Sequence, residues 1–256
     1  MSDRRQRDPP TRTESAPAAL LLSSYTPAAF RTVTTADIAS FLSGNRFGSV
    51  VTQTPGRWSV SHLPLTYEFD GGALRAIRAH VAKANPQSDE LDGDAPVLIT
   101  VQGPDAHILP EWYEDRDVPT WDYAAVHVSG TATHLSGPEL MNSLGQVLAS
   151  FDGGTGAAAL AEYPPGYIEA LAAEVVGIEV RVGTVLPVFK LSQDKSAADL
   201  EGVADGLDRR HLGGADVALS ALLREHGHRS HVGRYVSTDP DAGAQRCCQG
   251  PQALGG

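Results

Sequence analysis

The chain has 256 residues, 41% of them hydrophobic, and a formal net charge of -11 from 31 acidic and 20 basic side chains. That size suits one large domain or two small ones, and the acidic balance excludes a free nucleic-acid-binding module with a basic face. The two cysteines, Cys247 and Cys248, are adjacent, which excludes a disulfide framework and a zinc knuckle and suits a reducing cytoplasm.

Residues 1–24 read as a disordered tail, with a short arginine cluster (Arg4, Arg5, Arg7, Arg12) among prolines and serines. The apolar run Ala18–Leu22 is too short for a signal sequence, and no segment is long enough to span a bilayer. Thr35 reads as the cap of a helix closed by Gly44, and Phe47–Thr52 and Trp58–Leu63 read as a strand pair around Gly56. Asp70-Gly71-Gly72 is a hairpin signal, and a third strand, Ala73–Ala79, leads into Ala79-His80-Val81-Ala82-Lys83-Ala84-Asn85-Pro86. A helix through Leu91, with Pro86 in its first turn, follows.

Pro96–Val101 reads as a buried strand broken by Gln102-Gly103-Pro104-Asp105, and residues 111–123 as an aromatic, proline-rich loop. Ala125–Leu135 alternates as a strand. Leu140–Phe151 and Tyr167–Val175 read as helices, and 177–182 and 185–191 as the last strands. Asp216–Glu225 is an amphipathic helix. Residues 25–227 then form the folded domain, and 228–256 a second disordered tail. The pattern predicts a mainly β fold with peripheral α-helices, a small closed barrel.

The octapeptide places an imidazole, an ammonium and a carboxamide at a strand-to-helix turn. His80, Lys83 and Asn85 can hold an anion at a helix N-terminus, and His80 can equally present a neutral ring to a metal. A solvated helix start capped by Asn85 is the plainer alternative. His62, His107 and His134 read as histidines bonded to backbone, and His127 as a pocket residue. Trp112, Tyr113, Trp121 and Tyr123 suit packing or the wall of a flat aromatic cofactor. Phe189–Lys195 reads as a strand end facing solvent or closing an anionic site.

Six segments in order, SHLPLTYE (61–68), AHVAKANPQ (79–87), VQGPDAHILPEWY (101–113), VPTWDYAAVHVSGTA (118–132), VGIEV (176–180) and FKLSQDK (189–195), resemble the PaiB-like family, commonly labelled FMN-binding negative transcriptional regulators. The likeness covers roughly residues 25–225. It implies an FMN-binding split β-barrel, homodimeric, with a flat cofactor near the dimer interface. His80, Lys83 and Asn85 would lie near the phosphate of FMN, with His62, Gln102, Trp121 and Tyr123 also in the cofactor set.

One branch of that family is the heme-dependent piperazate synthases. Many PaiB-like members read GKWKLSQN near the last strand. Here the Gly-Lys is gone, Phe189 replaces Trp and Asp194 replaces Asn, which is similar to the synthase branch. That resemblance implies heme b with His80 as axial iron ligand. It also implies a hydroxylated amino acid, L-N5-hydroxyornithine, whose N–N bond forms with loss of water, and Lys190 and Gln193 as polar contacts to substrate. FMN in the same pocket of a flavin-dependent regulator or reductase is the alternative. Asp122, where the family more often has Asn, fits neither branch. A cytoplasmic protein with no membrane partner and no direct DNA contact is expected.

Overall fold

The computed structural model describes residues 33–114, 117–151, 166–210 and 212–226, with isolated positions at 22–25, 27, 30, 163 and 164. Both tails read as disordered, apart from residues 22–24, lie outside the described residues.

The elements run α1 (Thr35–Gly44), β1 (Phe47–Thr54), β2 (Arg57–Pro64), β3 (Thr66–Asp70), β4 (Ala73–Ala82), β5 (Ala95–Ile108), β6 (Thr120–His134), α2 (Gly137–Phe151), α3 (Tyr167–Ala172), β7 (Val175–Lys190), α4 (Ala197–Arg210) and α5 (Gly214–His226). The strands form one sheet in the order β2-β1-β5-β6-β7-β4-β3. The pairs β1–β2, β1–β5, β3–β4 and β4–β7 are antiparallel.

The chain divides into two compact units. The first holds Thr35–Gln102 and Ala125–Leu186. It buries Leu42, Val50, Leu65, Ile77, Val81, Leu91, Ile99, Val126, Val128, Ile178 and Val180. Leu42 comes from α1, and Leu65 and Leu91 from the connections; period-two alternation delivers the others from β1, β4, β5, β6 and β7 to one face of each strand. The second unit includes Gly103–Ala124 and the chain from Pro187 on. It buries Ile108, Phe189 and Leu191, together with Leu200, Val203, Ala204 and Leu207 of α4 and Leu219 and Leu223 of α5. Their three- and four-residue spacing gives both helices one apolar side.

Three expectations change. The helix expected through Leu91 is a five-residue 3-10 turn, Pro86–Glu90. Asn85 and Pro86 start it, but Ser88, Asp89 and Glu90 offer no apolar face to carry it further. β5 does not break at 102–105 but continues to Ile108. Its pairing with β1 covers only Leu98–Thr100, so Pro104 lies beyond it, and its missing N–H costs no bond to β1. The two last strands are one, β7, and the helix α4 was not expected.

On the β1–β2 hairpin, Trp58, Val60 and His62 share a face with their partners Gln53, Val51 and Ser49. This face is open: Trp58 is 65% and Val60 54% exposed, and Phe47, paired with Pro64 on the same side, is 60% exposed.

Candidate functional site

His80 lies within β4, not at a helix start, and pairs with Gly177 of β7. A Cβ on Gly177 would come within 2.9–3.2 Å of Leu140 and Leu135, so only glycine lets these side chains close over the strand beside His80. The imidazole is half-buried, and its Nδ1 is buried with no hydrogen-bond partner among the described residues. Burial holds its pKa below the usual histidine value, so the ring is neutral at pH 7.

After Ala82 the chain turns sharply, with Asn85 N–H donating to the Ala82 carbonyl at 2.9 Å. The Lys83 backbone N–H donates to Glu174 O at 2.9 Å, while its side chain is exposed and no carboxylate among the described residues lies within ion-pair distance. Asn85 caps the 3-10 turn: Oδ1 accepts from Gln87 N–H at 3.0 Å and Nδ2 donates to Ser61 Oγ at 2.8 Å. Its amide is therefore committed to structure, as the capping alternative predicts.

Gln87 fixes the turn to the hairpin. Its Nε2 donates to Val50 O, Thr52 Oγ1 and Ser59 O at 3.0–3.2 Å, and its buried Oε1 has no partner among the described residues. Glu90 accepts from Thr52 Oγ1 at 2.5 Å, from Arg57 and from Ser59 Oγ. These bonds hold its carboxyl below the usual range, the Thr52 bond most of all. His134 Nε2–H donates to Ser88 O at 2.9 Å, a backbone bond as expected for that histidine.

His62 faces away from Asn85. Successive strand residues point to opposite faces, so Ser61 meets Asn85 while His62 sits on the open face. There it bonds Ser49 Oγ at 2.9 Å and stacks on Phe47 at 6.4 Å. The turn thus brings together His80 and Lys83 along one strand end and leaves His62 on another surface. Gln102 is exposed on β5, and His127 is half-buried on β6 with its pKa lowered by burial.

The second unit holds the remaining predicted residues. Lys190 donates from Nζ to Thr120 Oγ1 at 2.7 Å, Trp121 O at 2.8 Å and Asp122 Oδ1 at 3.1 Å, which uses all three of its N–H bonds. Asp122 is fully buried, and its other oxygen accepts from Ser192 Oγ at 2.6 Å. Burial pushes its pKa up despite these donors. Gln193 is also buried: Nε2 donates to Phe189 O at 2.6 Å and Oε1 accepts from Leu191 N–H at 2.7 Å. Both ends of that amide close its own turn, beside Ser192 at φ 53°.

Trp121 and Tyr123 share one face of β6, opposite Asp122. The Trp121 indole Nε1–H donates to Asp105 Oδ1 at 2.9 Å, and its ring lies 5.8 Å from that of His107. Asp105 and His107 were not expected as site residues. Their partner lies on a different strand, and no local spacing announces the pairing.

A sequence family described as "Putative FMN-binding domain" matches residues 24–184. The chain belongs to this family. It is 32% identical over 184 residues to "Protease synthase and sporulation protein PAI 2" of Bacillus subtilis, covering 72% of this chain and 88% of that protein. An uncharacterized protein of Aspergillus fumigatus is 30% identical over 172 residues, 52% of this chain and 66% of that one. Among solved structures, the FAD and heme binding protein from Mycobacterium smegmatis superposes with a TM-score of 0.51 at 14% identity, covering 68% of this chain and 79% of the other. The fold is that of the FMN-binding split barrels, a mostly antiparallel sheet with few helices. Among the described residues no helix is long and apolar enough to cross a membrane.

Proposed function

We propose that this chain is an FMN-binding protein of the PaiB type, a flavin-dependent reductase or regulator, with its cofactor at the end of β4. The observation that carries the reading is the imidazole of His80, a half-buried ring whose buried Nδ1 has no partner among the described residues, three residues from an ammonium that no described carboxylate pairs with. A buried polar atom without a partner costs about 1–3 kcal/mol, which a bound group engaging the ring would recover. Lys83 would pair with the phosphate as a point charge, and His80 would donate or accept one hydrogen bond as a neutral ring. FMN, when bound, supplies hydride and single-electron chemistry at its ring. The chain's own part is to hold the phosphate end, orient the ring and exclude water.

The neutral state of His80 favours a second reading. A neutral imidazole is a weak partner for phosphate and a good iron ligand. On that reading heme b binds through His80, and the protein is a heme-dependent piperazate synthase acting on L-N5-hydroxyornithine. Lys190 would then face substrate while held by its three acceptors, and Gln193 would shape the turn beside it.

The open face of β1–β2 supports a homodimer. Phe47, Trp58 and Val60 form an apolar surface on an edge hairpin, the kind of face that a second copy covers. The net charge of -11 counts against direct DNA contact.

The absorption spectrum of the purified protein separates the readings. A flavin spectrum in wild type whose occupancy falls in Lys83→Ala and in His80→Ala supports FMN. A Soret band that is lost in His80→Ala replaces it with heme. Hydroxyornithine converted to a product lighter by one water would support the synthase activity.

A further inference from the structure

The run from Arg57 to Asp70 changes partners midway. β2 pairs with β1 as far as Phe47–Pro64, and one step on Leu65 N–H donates to Arg46 O at 2.7 Å. From Thr66 the chain pairs with β4 instead. β3 ends the sheet, so its other edge faces no strand among the described residues. Such an edge turns the N–H and C=O of alternate residues outward. A cavity of about 330 Å³ borders this strand. Residues 65–69 line it in succession, with Arg46 beside the end of α1, Arg78 from β4 and Gln146 from α2, all within the first compact unit.

Both cations of the cavity are held in position. Arg46 donates from Nε to Ser43 O at 2.9 Å and from Nη1 to Ser150 O, which ties α1 to α2. Arg78 sits between Glu68 and Glu179, 2.7 Å from each. The Glu68 side chain is 52% exposed; its Oε2 serves that pair, and its Oε1 makes no bond among the described residues. The Tyr67 hydroxyl donates to Asn45 O at 2.8 Å, and burial raises its pKa, so the phenol is a neutral wall. Fixed charges lower the ordering cost of binding. Their signs select the ligand. A simple anion meets Glu68, and a simple cation meets Arg46 and Arg78, so each is repelled by part of the lining. A molecule carrying both signs is repelled by none if its carboxylate takes the planar fork of Arg46 and its ammonium takes Glu68. The volume lies at the lower end of the range for ligand pockets, about 300–1,000 Å³, which suits one residue better than a peptide.

We propose that the cavity at the β3 edge binds a free α-amino acid, with its carboxylate on Arg46, its ammonium on Glu68 and an uncharged side chain against the half-buried Phe69. This site uses neither His80 nor Lys83 and needs no cofactor.

The test uses the full chain and five probes, L-alanine, L-leucine, L-methionine, L-phenylalanine and L-glutamine. At least one of them, at about 10 mM, should raise the melting temperature. Calorimetric titration then compares the strongest binder with its analogues lacking one charge; for leucine these are 4-methylpentanoate and 3-methylbutylamine. Each analogue should bind at least about 10-fold more weakly, since each loses a charge-assisted hydrogen bond. Glu68→Gln should weaken the amino acid at least about 10-fold and leave the analogue without an ammonium unchanged, a split that a merely structural role does not give. Arg46→Lys, which keeps the charge and loses the fork, should weaken both. His80→Ala and Lys83→Ala should bind the amino acid as wild type does. No rise in melting temperature with any of the five overturns the site. So do analogues that bind as tightly as the amino acid, or binding that Glu68→Gln leaves intact. Binding lost in His80→Ala or Lys83→Ala places the amino acid at the end of β4 and overturns the site as well, while the cofactor readings stand or fall on the absorption spectrum.

Discussion

The buried carboxylate of Asp122 offers a sharp test of how the end of β7 is held. Replacing Asp122 with Ala removes a fully buried acceptor, leaving the Ser192 hydroxyl without its 2.6 Å bond and Lys190 without one of three acceptors. Breaking a buried ion pair from one side costs about 3–5 kcal/mol. The Lys190 side chain is 28% exposed, so water recovers part of that, and a loss of about 2–4 kcal/mol is expected. Asp122→Asn should behave differently. Burial raises the folded-state pKa of Asp122, so the ionised form is less favourable in the folded chain than in the unfolded one. The stability this group contributes is full below the unfolded carboxylate pKa, about 4, and is lost as pH rises through the folded value. Asn mimics the neutral acid at every pH. Asp122→Asn should therefore match or exceed wild type at pH 7, with the difference shrinking toward pH 4. Urea midpoints of the three proteins between pH 4 and 8 measure this. An Asn variant as unstable at pH 7 as the Ala variant would refute the reasoning, because the charge itself would then be stabilising.

Gly206→Ala places a Cβ 2.2–2.6 Å from three ring atoms of Trp112, and the strain should outweigh the helical gain of about 1 kcal/mol. A net loss of about 1–3 kcal/mol in urea unfolding is expected, and a higher midpoint would contradict it. The Glu90 carboxyl is held below its ordinary pKa, so its contribution is present above about pH 4 and lost as pH falls through the folded value. Glu90→Gln should accordingly lose stability at pH 7 and show a flatter acid limb in thermal melts from pH 7 to 2.5. Val60→Asp puts a charge on the open hairpin face and should convert a dimer into monomers in sedimentation velocity, with the melting temperature of the monomer little changed. A wild-type protein that sediments as a monomer at tens of micromolar would end the dimer proposal.

The sequence announces most strands because each carries its own period-two pattern. Val50 and Thr52 of β1 are buried, and Phe47 and Gln53 are exposed. Pro104 and Gly183 read as breaks because the rule that excludes them assumes strand partners on both sides, and pairing is not a local property. α4 was hidden by its acidic, glycine-containing composition, although Leu200, Val203, Ala204 and Leu207 carry the helical spacing that would reveal it. At the site, the cluster of His80, Lys83 and Asn85 was visible as residue types. Their division of labour was not, since only the fold shows that Asn85 is committed to Ser61 and Gln87 while the buried Nδ1 of His80 has no partner among the described residues. Asp105 and His107 escape a linear reading for the same reason, their meaning coming from a ring 14–16 residues further along.

The bonds of Gln87 and His134 have a kinetic consequence. The segment between β4 and β5 resembles a surface loop in composition, yet its first residues are tied to Val50, Thr52, Ser59 and the end of β6. Opening it breaks all of those ties together. Its backbone amides should thus exchange with solvent deuterium at rates set by unfolding of the surrounding strands, not by loop fraying. A molecule arriving at this turn meets a surface already in its final shape. Its association rate would be governed by diffusion and charge, with no slow isomerisation of the protein to wait for.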